Sequence, residues 1–366
     1  MSTDTTAARF DVRPTSHPRT LEERQQALAQ LSFGKVFTDH MARAVWTAEE
    51  GWHDHRVEAY GPLSLDPSAA VLHYAQEIFE GMKAYRHADG SVWTFRPRAN
   101  AARFAASARR LALPELSEAD FLGSIEALVR TDTEWVPDSP GSSLYLRPFM
   151  FASEAFLGVR PAHRVEYLVI ASPSGPYFTS GFNPVSIWVT TDFHRAGPGG
   201  TGNAKCGGNY AASLLPQQQA AEHGCSQVCF LDAATGTLLE ELGGMNVFFV
   251  DADGDVHTPA LTDTILDGVT RSSILQLLAD DGRTVHERAL PFAEIAEQIR
   301  SGQITEVFAC GTAAVVTPIG QFKGTDLDLR IGTGEAGPVT SWLYTTLTDL
   351  QYGRSEDTYG WLHRLA

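Results

Sequence analysis

Between Ser172 and Pro184 the chain reads Ser172-Pro-Ser-Gly-Pro and then Phe178-Thr-Ser-Gly-Phe-Asn-Pro184. Proline lacks the donor that helices and central strands both use, so three prolines and two glycines in this stretch interrupt regular structure. The break divides 366 residues into two halves. That length suits two domains of roughly 100–200 residues each. The expected organisation is a flexible N-terminal extension over 1–20, a small α/β domain over 21–174, an interdomain loop over 175–186 and a large domain over 187–366. Hydrophobic residues make up 43% and charged residues 20%, enough apolar surface for two cores.

Within the first half, residues 69–80 carry a helical or irregular apolar pattern leading into Gly-Met-Lys. Residues 99–112 predict an alanine-rich helix with Asn100 as N-cap. Residues 118–135 predict a second helix, with Phe121, Leu122, Ile125, Leu128 and Val129 at helical spacing. Strands follow around Ser143–Met150 and Glu166–Ala171. The second half predicts a strand over 185–191, a glycine-rich loop and a helix over 209–222. Hairpins turning near 234–236 and 253–254 come next, then a helix from Thr270. A strand over 306–310, a Gly-Thr turn and a helix over 338–350 complete it. Strands and helices alternate only partly, which fits an α+β fold better than a doubly wound sheet.

The formal net charge of −16 argues against a broad nucleic-acid or anionic-membrane surface. No run of 18 apolar residues is present, so no membrane span is expected. The N-terminus lacks the apolar stretch of a secretory signal. Cys206, Cys225, Cys229 and Cys310 form no C-x-x-C and have no histidines to complete a zinc set. Buried thiols in a reducing cytoplasm are expected, with no metal.

The most unusual local composition is Gly197-Pro-Gly-Gly-Thr-Gly-Asn-Ala-Lys205-Cys-Gly-Gly-Asn-Tyr210. Gly197-x-Gly199-x-x-Gly202 is a literal dinucleotide fingerprint, but Gly207 and Gly208 delay the helix that should open there. A P-loop needs Gly-Lys-Ser/Thr, and Lys205 lies between Ala204 and Cys206. A third reading is a lysine on a tight loop at the floor of a cavity, where glycines let the backbone approach a flat ligand. A desolvated lysine there can form a Schiff base. A surface turn with a solvated lysine has the same local composition. Further on, one of Glu240 and Glu241 should point inward if their strand is buried, and an inward carboxylate needs a partner. Gly268-Val269-Thr270 and Gly311-Thr312 can present backbone N–H groups to a phosphate.

Together these motifs give a family resemblance that runs from Phe33-Gly-Lys-Val-Phe to the C-terminal helix. They are Leu72-His-Tyr74-Ala-Gln-Glu-Ile-Phe79-Glu-Gly-Met-Lys-Ala84, Phe95-Arg-Pro with Asn100-Ala-Ala-Arg103, and Ser143-Leu-Tyr145-Leu-Arg147-Pro. Gly175-Pro-Tyr177-Phe, Gly202-Asn-Ala-Lys205-x-Gly-Gly-Asn-Tyr210, Glu241-Leu-Gly-Gly-Met-Asn246 and Gly311-Thr-Ala-Ala follow. The chain resembles the branched-chain amino acid aminotransferases, which are fold-type-IV pyridoxal-phosphate enzymes. The resemblance implies a two-domain α+β architecture of the D-amino-acid aminotransferase type, a homodimer, and pyridoxal 5′-phosphate as cofactor. It implies amino transfer between leucine, isoleucine or valine and 2-oxoglutarate, giving branched 2-oxo acids and glutamate.

By the same resemblance, Lys205 is the Schiff-base lysine and moves the Cα proton. Glu241, rather than Glu240, lies beside the pyridine nitrogen, and Tyr210 donates to the phenolic oxygen. Arg103 holds the phosphate, assisted by Val269, Thr270 and Thr312, and Arg195 lies near it. Phe33, Tyr74, Phe79, Tyr145 and Tyr177 line the substrate pocket, and Arg147 meets the glutamate carboxylate. Gly244 replaces a threonine that in some relatives helps hold the α-carboxylate, leaving that task to the backbone at Ala313 and Ala314. A C-x-x-C of the mammalian branch is replaced by Ala314 and Thr317.

Overall fold

The computed structural model describes residues 10–175 and 181–366. These form two compact units. The first holds residues 10–175, Ala204–Gly207 and Asp349–Ala366, and the second holds 181–203 and Gly208–Thr348. An uninterrupted domain over 187–366 is therefore corrected at two places. Leu362–Arg364 pairs antiparallel with Val92–Phe95, which draws the C-terminal segment into the first unit. Lys205 bonds through its backbone to residues of the first unit, described below.

In the first unit a nine-stranded sheet runs in the order Asp11–Val12, Gly51–Ala59, His40–Thr47, Arg164–Ser174, Ser143–Ala152, Met82–Arg86, Val92–Phe95, Leu362–Arg364. The short strand Glu77–Phe79 pairs separately with Ser143–Ala152. All pairings are antiparallel except that of Asp11–Val12. That strand overturns the expectation of a flexible extension for residues 10–20. The Thr15 N–H also donates to His40 Nε2, and Thr20 caps the helix Leu21–Ala29.

The first proline of the expected break does not break the strand. Pro173 lies opposite Leu144, beyond the last residue paired to the other neighbour, so its missing N–H faces an unpaired edge. The helices Pro97–Arg110 and Glu118–Thr131 cover the core. Ser117 caps the second by accepting from the Asp120 N–H, and its stripe Phe121, Ile125, Leu128 is buried. Burial of each such side chain contributes about 1.5–3 kcal/mol. Asn100 is not a cap. Pro97, whose fixed φ suits the first helical position, starts that helix after Arg96, leaving Asn100 buried inside it.

The second unit has a ten-stranded mixed sheet in the order Val285–Arg288, Val256–Pro259, Asn246–Asp251, Ile304–Gly311, Val315–Gly324, Val185–Val189, Gln227–Leu231, Leu238–Leu242, Leu290–Pro291. Leu327–Arg330 pairs with Val315–Gly324 off this path. Phe248, Phe249, Phe308 and Phe322 are buried along its middle strands. Buried Glu306 accepts from the N–H groups of Val339 and Thr340, satisfying first-turn donors of the helix Pro338–Gln351.

The glycine-rich loop is explained by the protein's own backbone. A Cβ on Gly202 would lie 2.5 Å from Thr264 Cα. The Asn203 N–H donates to the Asp263 carbonyl at 2.9 Å, and Asn209 Nδ2 donates to the Thr201 carbonyl at 2.8 Å. The next helix, Gly207–Glu222, starts at Gly207 rather than at 209. It does not open on the Gly197–Gly202 motif, as a dinucleotide fold would require. Among the described residues no helix is long and apolar enough to cross a membrane.

Candidate active site

In the first unit the short strand Glu77–Phe79 and the strand Ser143–Ala152 set the key side chains. Residues two apart on a strand share a face, so Tyr145 and Arg147 project together. Arg147 Nη2 donates to Tyr145 Oη at 3.2 Å. The ring of Phe79 is faced by Arg147 Cζ at 4.7 Å from its centroid and by Lys205 Nζ at 4.8 Å. Cations at this range are held by the ring's negative face. Phe33 meets Tyr145 edge-on, with centroids 4.8 Å apart. A Cβ on Gly81 would collide with Tyr145 Oη, so glycine there makes room for the hydroxyl. Arg147 Nε is buried without a hydrogen-bond partner. A guanidinium left with an unmet donor suits an anionic guest.

Arg103 has a partner the sequence reading missed. Its Nε and Nη2 donate to the two oxygens of Glu80 at 2.7 and 2.8 Å. Glu80 is fully buried and also accepts from Asn100 Nδ2 at 2.8 Å. Burial alone would raise its pKa, but the charge and hydrogen bonds of Arg103, with Lys205 and Asn100, hold it below the ordinary carboxylate range. The signal was a second glutamate within the apolar run Glu77-Ile-Phe-Glu80, since a buried carboxylate requires a cation. Tyr74 ends the short helix Ala70–Tyr74, is partly exposed, and donates its hydroxyl to the Leu157 carbonyl. Tyr177 lies outside the described residues.

In the second unit both Glu240 and Glu241 are buried, not one of them. Strand alternation sends them to different partners. Glu241 is paired with Arg195 Nη1 at 2.8 Å and accepts from Asn246 Nδ2 and the Leu266 N–H, each at 3.2 Å. Glu240 accepts from the Thr264 hydroxyl, and its second oxygen is buried without a partner. Burial pushes its pKa up. Arg195, expected near the phosphate, also donates Nη1 to the carbonyls of Thr264 and Gly202, at 2.7 and 3.1 Å.

Val269 and Thr270 open the helix Val269–Asp280, and its N-cap Gly268 provides no side-chain cap. A Cβ on Gly268 would strike Asn246 Oδ1 at 2.1 Å, so only glycine admits that asparagine beside the helix start. A Cβ on Gly244 would meet the Tyr210 ring at 4.0 Å, and one on Gly311 would meet the Gly244 carbonyl at 3.6 Å. These approaches bring Tyr210, Gly244 and the turn carrying Thr312, Ala313 and Ala314 into one neighbourhood.

The amino-transferase class IV family model matches residues 77–322. The chain belongs to the class IV aminotransferases, among the branched-chain-amino-acid aminotransferases. It is 53% identical over 360 residues to the branched-chain-amino-acid aminotransferase of Mycolicibacterium smegmatis, covering 97% of this chain and 98% of the relative. It is 52% identical over 362 residues to a probable enzyme of that name from Streptomyces coelicolor, covering 99% and 100%. Among solved structures, the Escherichia coli branched-chain amino acid aminotransferase aligns with TM-score 0.74 at 27% identity, covering 89% of this chain and 100% of that one. The T.th. branched-chain amino acid aminotransferase with pyridoxamine 5′-phosphate aligns with TM-score 0.73 at 28% identity, covering 89% and 99%. The α+β reading and the family reading from sequence both hold.

Class IV membership implies a pyridoxal-phosphate cofactor, and the residues fit one. A primary amine lies over an aromatic face, a buried carboxylate is held rigidly in place, and a helix start lacks a side-chain cap. Taken unit by unit, these are the kinds of group that suit an aldehyde, in the first unit, and a ring nitrogen and a phosphate, in the second.

Proposed function

We propose that the chain is a branched-chain-amino-acid transaminase that exchanges amino groups between leucine, isoleucine or valine and 2-oxoglutarate. The observation that carries this reading is the ring of Phe79, whose centroid has the Lys205 amine and the Arg147 guanidinium each within 5 Å. An amine for proton transfer and a cation for a distal carboxylate are what the two halves of such an exchange require.

Bound pyridoxal 5′-phosphate supplies an aldehyde carbon that accepts the amino group and a ring that takes up electrons when Cα is deprotonated. Lys205 Nζ would carry the proton between the substrate's Cα and the cofactor's aldehyde carbon. Glu241, held by Arg195 and Asn246, keeps the ring nitrogen protonated. Tyr210 donates to the phenolic oxygen. Arg103, whose guanidinium plane Glu80 fixes, would be the phosphate ligand of the first unit, and Val269, Thr270 and Thr312 would be those of the second. Phe33, Tyr74, Phe79 and Tyr145 would enclose the aliphatic side chain. Arg147 meets the γ-carboxylate of glutamate, and the backbone at Gly244, Ala313 and Ala314 meets the α-carboxylate.

Four buried free cysteines support a reducing, cytoplasmic setting, and exposed Leu72, Leu157 and Val159 support a homodimer. The test is a panel of amino donors with 2-oxoglutarate. Turnover confined to leucine, isoleucine and valine is expected, and a preference for D-alanine or an aromatic donor would refute the assignment.

A further inference from the structure

We infer that Glu77 and Ser107 are positioning residues that clamp the peptide of Lys205 and so fix the reach of its amine. The inference rests on the reading of Lys205 given above. Three hydrogen bonds within the first unit carry it. The Lys205 N–H donates to Ser107 Oγ at 2.9 Å. The Lys205 carbonyl accepts from the Phe79 N–H at 2.9 Å. Two residues on, the Gly207 N–H donates to the Glu77 carboxylate. Both backbone groups of Lys205 are thus bonded to fixed elements, and the chain is pinned again where the helix Gly207–Glu222 begins.

The supports are built for the purpose. Ser107 is buried on the helix Pro97–Arg110, where Asn100, Arg103 and Ser107 recur at i, i+3 and i+7 and share one side. The first two hold Glu80, and the third holds Lys205. Glu77 lies on the strand that carries Phe79, anchored opposite Phe149 and Phe151. A Cβ on Gly207 would lie 2.2 Å from Glu77 Oε1, so the carboxylate occupies space that only glycine leaves open. Burial raises the Glu77 pKa against the pull of the Gly207 N–H and Arg147. A neutral carboxyl accepts that N–H as well, so the acceptor oxygen matters here rather than the charge. Misplacing a reacting group by about 1 Å can cost 10²-fold in rate, which gives such a clamp its value.

The test uses cofactor-stripped full-length protein. Pyridoxal 5′-phosphate is added, bonds are fixed with borohydride at timed intervals, and peptide mapping compares label at Lys205 with label at exposed Lys35. Hydrogen exchange of the amides at 205 and 207 is followed without cofactor. Ser107→Ala should speed exchange at Lys205, and Glu77→Ala at Gly207, by roughly 2–13-fold, the loss of one hydrogen bond. Both should lower the Lys205-to-Lys35 labelling ratio. Glu77→Gln keeps an acceptor and should restore the parent values, whereas Gly207→Ala should reproduce Glu77→Ala. A merely structural role would not move the ratio while the melting temperature holds. Unchanged exchange and ratio in both alanine variants would overturn the clamp, as would a Glu77→Gln protein behaving like Glu77→Ala. Label on Lys83 or Lys323 in the parent would instead overturn the reading of Lys205, and the exchange data would still judge the clamp.

Discussion

Glu80→Gln tests a fully buried carboxylate paired with a guanidinium in the first unit. The parent carboxylate is fully buried, bound at both oxygens by Arg103 and at one by Asn100. Glutamine preserves the shape, keeps one acceptor, and turns the other oxygen into a donor facing a guanidinium. Removing one partner of a buried pair costs about 3–5 kcal/mol, and the retained acceptor puts this variant near 3. At about 2–4 °C per kcal/mol for 150–250 residues, the melting temperature of cofactor-stripped protein should fall by roughly 6–12 °C. The pH dependence follows from the sign of the shift. The folded pKa of Glu80 lies below its unfolded value of about 4.3, so its contribution is complete above that pH and is lost as pH falls through the folded value. The variant has nothing to titrate at this position, so the acid side of its melting curve against pH should be flatter. Replacing the pair together, as Glu80→Leu with Arg103→Met, should recover part of the loss, because no buried charge is left unpaired. A Glu80→Gln protein that melts within about 2 °C of the parent and keeps the same acid limb would refute the reasoning.

Glu241→Gln should lower turnover by about 10²–10⁴-fold, while Glu240→Gln should do much less, because burial already favours the neutral form of Glu240. The reverse ranking in steady-state assays would mean that the roles of the two faces are exchanged. Arg147→Gln should slow the glutamate half-reaction by roughly 10–150-fold more than the leucine half-reaction, the worth of one hydrogen bond to a charged group. Equal losses in single-turnover experiments would make Arg147 structural. Mild peroxide should leave activity unchanged, since all four cysteines are buried and burial raises the thiol of Cys225, that of Cys229 to about 12, and that of Cys310 further. Loss under peroxide that dithiothreitol restores would count against this, and Cys206→Ser and Cys310→Ser would identify the sulfur.

Helix stripes were legible because burial repeats along them. Phe121, Leu122, Ile125, Leu128 and Val129 all lie in the core. Punctuation was harder to read, because its meaning depends on partners far away in sequence. Pro173 reads as a break, yet a strand tolerates it where one neighbour has already ended. Asn100 reads as a cap, but Pro97 starts the helix and Glu80 claims the asparagine. Nothing local reveals that Leu362–Arg364 returns to pair with Val92–Phe95.

The site divides along the same line. Lys205 and Arg147 stand out in sequence because their chemistry is uncommon in glycine-rich or apolar settings, whereas Arg103 and the choice of Glu241 over Glu240 rest on the family resemblance. Their supports were missed because a supporting serine looks ordinary in its own segment, and the carboxylate in the apolar run before Gly81 was not followed to its cation. The pair Glu240-Glu241 makes the point physically. Alternation predicts one inward carboxylate only if one face of the strand is wet, whereas Leu238–Leu242 is covered on both. Each carboxylate must then find its own partner, and the partners, Thr264 for one and Arg195 with Asn246 for the other, are supplied by different segments. A buried acidic pair in a strand therefore needs its own donor for each carboxylate, here joined through Thr264, whose hydroxyl donates to Glu240 and whose carbonyl accepts from Arg195. The face whose carboxylate is held by a guanidinium is the one where a permanent negative charge can be kept, and that is the charge a protonated ring nitrogen needs.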